Sequence, residues 1–252
     1  MKSELQHREE IVRFGRMLHA SGFVAATDGN LSVRLDASRV LCTPTAMSKG
    51  LMETDDLVLV DMEGNRLDGH RQVSSEIAMH LLFYRLRPDV RGIVHAHPPT
   101  ATGYAAAGVP LNQALVSEIV ISLGSVPLAR YGTPGTPELC EALEPLILDY
   151  DAILMANHGV VTCGGDLQKA FMNMETVEHF AKVALVAHQL GRQQLLSQEE
   201  IGKLIEARRR YEAGAENSDG SSSAGNGGAS SRPAGDADPA LTCSKRRTEV
   251  AD

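Results

Sequence analysis

Val94-His95-Ala96-His97-Pro98 carries the strongest chemical signal in the chain. Gly92 to His97 reads as a buried strand, stopped by Pro98-Pro99. Side chains two apart on a strand share a face, so His95 and His97 can grip one cation. A third histidine stands in Ala156-Asn157-His158-Gly159, at the end of the apolar run Ala152 to Met155. Three imidazoles leave one metal position open for water or substrate, the pattern of a catalytic zinc site. Two ordinary polar histidines at a strand end are the plainer alternative, and the third strand-end histidine weighs against it.

Ser74-Ser75-Glu76 opens a helix predicted over Ser75 to Arg87 and ended by Pro88. Two hydroxyls beside the first free N–H groups of a helix make a phosphate site. The same residues also fit an N-cap followed by a first-turn acid. Glu76-x-x-x-His80 could put two ligands on one helix face. His80 is read as a helix-face residue, because the strand-end histidines already supply enough ligands. Two loops could complete an anion pocket. Thr27-Asp28-Gly29-Asn30 has a glycine that permits close backbone approach, and Thr43-Pro44-Thr45-Ala46 offers hydroxyls and backbone donors, with Lys49 near in sequence. Each is also an ordinary turn composition.

The elements that must hold these residues are legible in outline. Ser3 to about Ser21 predicts a helix, with Ser3 and Gln6 as a capping box. Leu31 to Leu35 alternates as a half-buried strand does. Val40 to Thr43, Leu57 to Asp61, Val126 to Arg130 and Val160 to Cys163 are further strands, and Glu63-Gly64-Asn65 fits a hairpin turn. Long helical patterns run from about Asp166 to Gln189 and from Gln198 to Tyr211. Hairpin-type links between strands argue for an α/β fold with a mixed, largely antiparallel sheet covered by helices. No dinucleotide or P-loop glycine fingerprint lies at a strand-to-helix turn.

Composition narrows the function classes. A net charge of −8 without a basic block in the body argues against a nucleic-acid binder. Cys42, Cys140, Cys163 and Cys243 show no CxxC pairing and read as reduced thiols. The N-terminus lacks an apolar signal core, and no apolar run approaches the length of a membrane span. The expected location is cytoplasmic. Residues 213–252 are rich in Ser, Gly, Ala, Asp and Pro, so the expected organisation is a catalytic domain over 1–212 and a disordered tail over 213–252.

Together, Gly29-Asn30-Leu31-Ser32, Thr43-Pro44-Thr45, Ser74-Ser75-Glu76, His95-Ala96-His97-Pro98 and Asn157-His158-Gly159 resemble the class II aldolase/adducin family. In pattern the set is similar to the L-fuculose-1-phosphate aldolases of that family. The likeness covers roughly Ser3 to Tyr211. It implies a three-layer α/β/α fold and a homotetramer with active sites at subunit interfaces. It implies one Zn2+ per subunit on His95, His97 and His158, and Glu76 beside the metal moving protons. Gly29, Asn30, Thr45, Ala46, Ser74 and Ser75 would hold the phosphate of a small sugar. Ala46 stands where the aldolase pattern has glycine. The implied reaction is reversible cleavage of a ketose 1-phosphate to dihydroxyacetone phosphate and an aldehyde. The family also contains 4-epimerases, dehydratases, decarboxylases and adducin-type scaffolds without the metal histidines. Tyr211 matches a catalytic tyrosine of the aldolase near the C-terminus. A second aldolase tyrosine, contributed by the neighbouring subunit, falls near Val116, where Ser117 and Glu118 stand instead. Tyr211 and Glu118 are therefore the candidates for handling the proton on the aldehyde side.

Overall fold

The computed structural model describes residues 2–219. Eight strands form one sheet: β1 (Asn30–Arg34), β2 (Val40–Cys42), β3 (Val58–Val60), β4 (Arg66–Asp68), β5 (Gly92–Ala96), β6 (Leu128–Ala129), β7 (Ala152–Met155) and β8 (Gly159–Gly164). Their order is β4-β3-β2-β1-β5-β8-β7-β6. Every neighbouring pair is antiparallel except β6 with β7. The sheet is thus mixed and largely antiparallel, as hairpin-type links require.

Alternation along the strands divides the core into two layers. Leu31, Val33, Val94, Ala96 and Val160 face one side, under α1 (Glu4–Ala20), α3 (Pro99–Ala107) and α6 (Leu167–Gln189). Val40, Val58, Ile93, Ile153 and Val161 face the other, under α2 (Ile77–Leu86) and α5 (Pro137–Ile147). Strands covered on both faces read as nearly continuous apolar runs, which is how β5, β7 and β8 appear. The result is a three-layer α/β/α sandwich.

Helix ends follow the capping chemistry. Ser3 accepts from Gln6 N while the Gln6 side chain accepts from Ser3 N, so the predicted capping box closes. Asp166 caps α6 by accepting from Lys169 N. Three helices and one strand escaped the sequence reading: α3, α4 (Ser117–Ser122), α5 and β4. The strand expected over Val126 to Arg130 reduces to the two residues of β6. At the C-terminus α7 (Gln198–Asp219) runs through the boundary set at 212. Residues 220–252 of the expected tail lie outside the described residues. So does the side chain of Tyr211, which falls within the span of α7. No helix of the described residues is long and apolar enough to cross a membrane.

One buried carboxylate ties α6 to the segment that carries His97. Glu178, 1% exposed, accepts from Thr100 N and Ala101 N at the start of α3. Those N–H groups have no partner within the helix and would be orphaned in the core. Glu178→Ala should therefore lower unfolding stability by about 2 kcal/mol. Urea denaturation measures it, and an unchanged midpoint would contradict the capping role.

Candidate metal centre

Three strand ends converge to build the site. His95 lies on β5, paired with Val161 of β8 and Asn30 of β1. His97 follows one residue beyond the end of β5. His158 occupies the turn between β7 and β8, and Ala96 of β5 pairs with Val160 just after it. The turn needs a left-handed residue, and Asn157 supplies it at φ 55°. Gly159 lets the turn close on His97. A Cβ there would stand 2.5 Å from His97 Cδ2 and 2.7 Å from Ala96 O. Gly29, with φ +70°, passes equally close to β5, where a Cβ would meet His95 O at 2.6 Å.

The ligand atoms of the three histidines lie within 4.8 Å of one another. What the His95 and His97 rings meet on their far sides favours one tautomer of each, while His158 Nδ1 has no hydrogen-bond partner among the described residues. His95 Nδ1 donates to Val160 O at 2.9 Å, leaving Nε2 a bare lone pair. Asp28 Oδ2 lies 3.4 Å from His97 Nδ1 and favours a proton there, leaving Nε2 bare as well. The two Nε2 atoms stand 3.2 Å apart. Facing lone pairs at that distance repel unless a cation offsets them. A tetrahedral ion with nitrogen ligands at about 2.0–2.1 Å would space two such atoms by about 3.3 Å. The donor set therefore fits a divalent metal. Burial, with His158 and His97 beside it, holds His95 well below the ordinary imidazole range, so it is neutral and able to ligate. Burial also lowers His158, opposed by Glu76.

Glu76 closes the site from the N-terminal end of α2. Its Oε2 is 3.4 Å from His95 Nε2 and its Oε1 is 3.3 Å from His158 Nε2. Asn30 Nδ2 donates to Oε2 at 2.8 Å, while buried Oε1 has no hydrogen-bond partner among the described residues.

The candidate phosphate residues gather beside this carboxylate. A lone bridge between Pro44 and Val73, with Thr45 N donating to Gln72 O, lays the Thr45-Ala46 loop against the segment leading into Ser74 and Ser75. Ser74 Oγ accepts from Glu76 N. Lys49 Nζ donates to Thr27 O and Met47 O, tying this loop to the one that contains Gly29. Burial lowers the Lys49 ammonium to about 8, against Asp28 and Glu76 which raise it. Ala46 holds φ 53°, a left-handed value that glycine adopts without strain. Thr45, Ala46 and Ser75 are exposed and Ser74 is buried. The Asn30 side chain is already committed to Glu76.

Glu118 does not join the group. It is exposed in the first turn of α4 and makes no hydrogen bond or ion pair with Glu76 or the histidines among the described residues. Its helix packs against α7, with Val120 meeting Ile201. His80, read from the sequence as a helix-face residue, lies on the face of α2 turned to β1 and outside the three-histidine group. It is 1% exposed and hydrogen bonded behind Asn30. Asp28, read from the sequence only as part of a turn, flanks His97.

Residues 9–185 match the family described as Class II Aldolase and Adducin N-terminal domain, and the chain belongs to that family. A 3-oxo-tetronate 4-phosphate decarboxylase of Haemophilus influenzae is 37% identical over 185 residues, 72% of this chain and 88% of the relative. A 5-deoxy-D-ribulose 1-phosphate aldolase of Bacillus thuringiensis is 32% identical over 201 residues, 79% of this chain and 93% of the relative. A solved L-fuculose 1-phosphate aldolase superposes with a TM-score of 0.76 at 32% identity, covering 83% of this chain and 98% of the other.

Two expectations follow from this geometry. Gly159→Ala should weaken metal binding at least tenfold by displacing His97, measured by competition with a chromophoric chelator; wild-type affinity would contradict the close approach. The buried imidazoles also set a pH dependence for the metal-free protein. Burial, and His95 beside it, lowers His80 to about 3. The unfolded chain binds these protons near pH 6.5 and the folded chain does not, so stability is full above about 6.5 and is lost as pH falls. Each such group contributes up to about 1.4 kcal/mol per pH unit. The urea midpoint should be level from pH 8 to 7 and fall from pH 6.5 to 5. A midpoint independent of pH would contradict the assignment.

Proposed function

We propose that the chain is a zinc-dependent carbon–carbon lyase that cleaves a ketose 1-phosphate to dihydroxyacetone phosphate and an aldehyde. The observation that carries this reading is Glu76, a carboxylate set against three converging histidines with Ser74 and the Thr45-Ala46 loop beside it. When bound, a divalent cation at these histidines polarises adjacent substrate oxygens and stabilises the negative charge that bond cleavage leaves on them. Glu76 delivers a proton to the carbon that keeps the bonding pair, and removes it again in the synthetic direction. Gly29, Asn30, Thr45, Ala46, Ser74 and Ser75 line the corner that would take the phosphate. Anchoring there fixes the reacting carbon against Glu76 and supplies binding energy away from the breaking bond.

Aldol cleavage also needs a base for the hydroxyl on the aldehyde side. Tyr211 near the C-terminus and Glu118 contributed by a neighbouring subunit are the candidates, in a homotetramer in the cytoplasm. Decarboxylation of a 3-oxo sugar acid phosphate is the second reading. The relative at 37% identity favours it. So does the proton inventory, because loss of carbon dioxide needs one proton donor, and Glu76 alone fills that role.

A panel of ketose 1-phosphates and phosphorylated 3-oxo sugar acids separates the two. Dihydroxyacetone phosphate supports aldol cleavage, and released carbon dioxide supports decarboxylation. A product with an unchanged carbon skeleton, or no turnover by metal-loaded protein, would overturn both. Glu76→Gln should keep its metal and lose at least a hundredfold in kcat. Full activity in that variant would remove Glu76 from the mechanism.

A further inference from the structure

Behind Glu76 a single file of hydrogen bonds runs into the core. Asn30 Nδ2 donates to Glu76 Oε2 at 2.8 Å, and Asn30 Oδ1 meets His80 Nε2 at 2.5 Å. His80 Nδ1 meets Ser32 Oγ at 2.6 Å, and Ser32 Oγ meets the Tyr84 hydroxyl at 2.8 Å. Ser32, His80 and Tyr84 are buried. None of the three belongs to the metal ligands or the phosphate corner.

With Glu76 as a carboxylate, one direction for each proton in this file satisfies every bond. An ionised Glu76 oxygen can only accept, so the Asn30 amide must point its NH2 at it. That leaves the Asn30 carbonyl oxygen facing His80, which must donate from Nε2. His80, being neutral, then has a lone pair on Nδ1 and accepts from Ser32. Ser32 has spent its one proton, so it accepts from Tyr84. Reversing any one bond would set two acceptors or two donors face to face in a buried site.

We propose that His80 and Ser32 are positioning residues for Glu76. They lock the Asn30 amide so that it holds Oε2, leaving Oε1 as the oxygen that exchanges a proton with substrate. Oε1 is the carboxylate atom without a hydrogen-bond partner, and it is the one turned toward His158. A carboxylate held at one oxygen cannot rotate to exchange the two. Without the His80 donor the Asn30 amide can flip, and Glu76 loses its anchor. This inference rests on the proposed role of Glu76 in proton transfer.

Two variants and an activity-independent measurement test it. His80→Leu should bind metal as the wild type does, keep KM within about twofold and lose at least tenfold in kcat. His80→Gln, whose amide can still donate toward Asn30, should recover most of that loss. The imidazole 15N shifts of His80 should show the Nε2–H tautomer in the metal-free wild type. Ser32→Ala should shift His80 toward the Nδ1–H tautomer, and it carries the test if His80→Leu does not fold. Wild-type kcat in a folded His80→Leu protein, or an Nδ1–H tautomer in the wild type, would overturn the proposal. The tautomer measurement reads the network even if no sugar phosphate is turned over, so failure of the functional reading and failure of this one are separable.

Discussion

Bare imidazole nitrogens repel one another, and His95 and His97 facing each other with His158 beside them make an arrangement that a cation stabilises. His95, His97 and His158 are held in that arrangement by groups that give them no freedom to turn away. Val160 O fixes the His95 ring. Asp28 flanks His97. The short turn after β7, tightened by Asn157 and Gly159, delivers His158. These restraints depend on the pairing of β5 with β1 and β8 and of β7 with β8, so the centre of the sheet is also the floor of the site.

The second constraint is a match of repeats. Glu76 at the N-cap of α2 and His80 and Tyr84 within it recur every four residues, and Asn30 and Ser32 recur every two on β1. Four helical residues advance about 6.0 Å and two strand residues about 6.6 Å. The two rows therefore interleave, and each polar group finds its neighbour on the opposite element. A buried row of this kind is tolerated only because every bond in it is satisfied. It ends at Glu76, where one carboxylate oxygen is left without a hydrogen-bond partner among the described residues. Burial keeps the chain of groups neutral, pushing His80 down and the Tyr84 hydroxyl up.

Much of this was legible from the residues. His95 and His97 share a strand face by simple alternation, and His158 and Glu76 stand at predicted element ends. The candidate phosphate loops were marked by glycine and threonine spacing; the bridge at Pro44 and Val73 brings the Thr45 loop to Ser74, and Lys49 ties in the loop of Gly29. The polar row was not legible. The periodicities of α2 and β1 are each visible, but their register against one another is a tertiary fact. His80 therefore reads from the sequence as a helix-face residue with no sign of the partners it meets on β1. The missed helices have separate causes. In α3 small residues leave almost no amphipathic signal, whereas α5 opens with Thr136 and Pro137, a start signal that was there to read. Glu118 was placed by resemblance to a position that a single chain does not complete, and in this chain it is turned to solvent.

The central claim is that three histidine nitrogens of one chain bind one catalytic cation. X-ray absorption at the metal edge of purified, metal-loaded protein tests it directly. The account predicts a nitrogen-dominated shell at about 2.0–2.1 Å with outer scattering from three imidazoles. A sulfur-containing shell, or a shell without imidazole scattering, would contradict it.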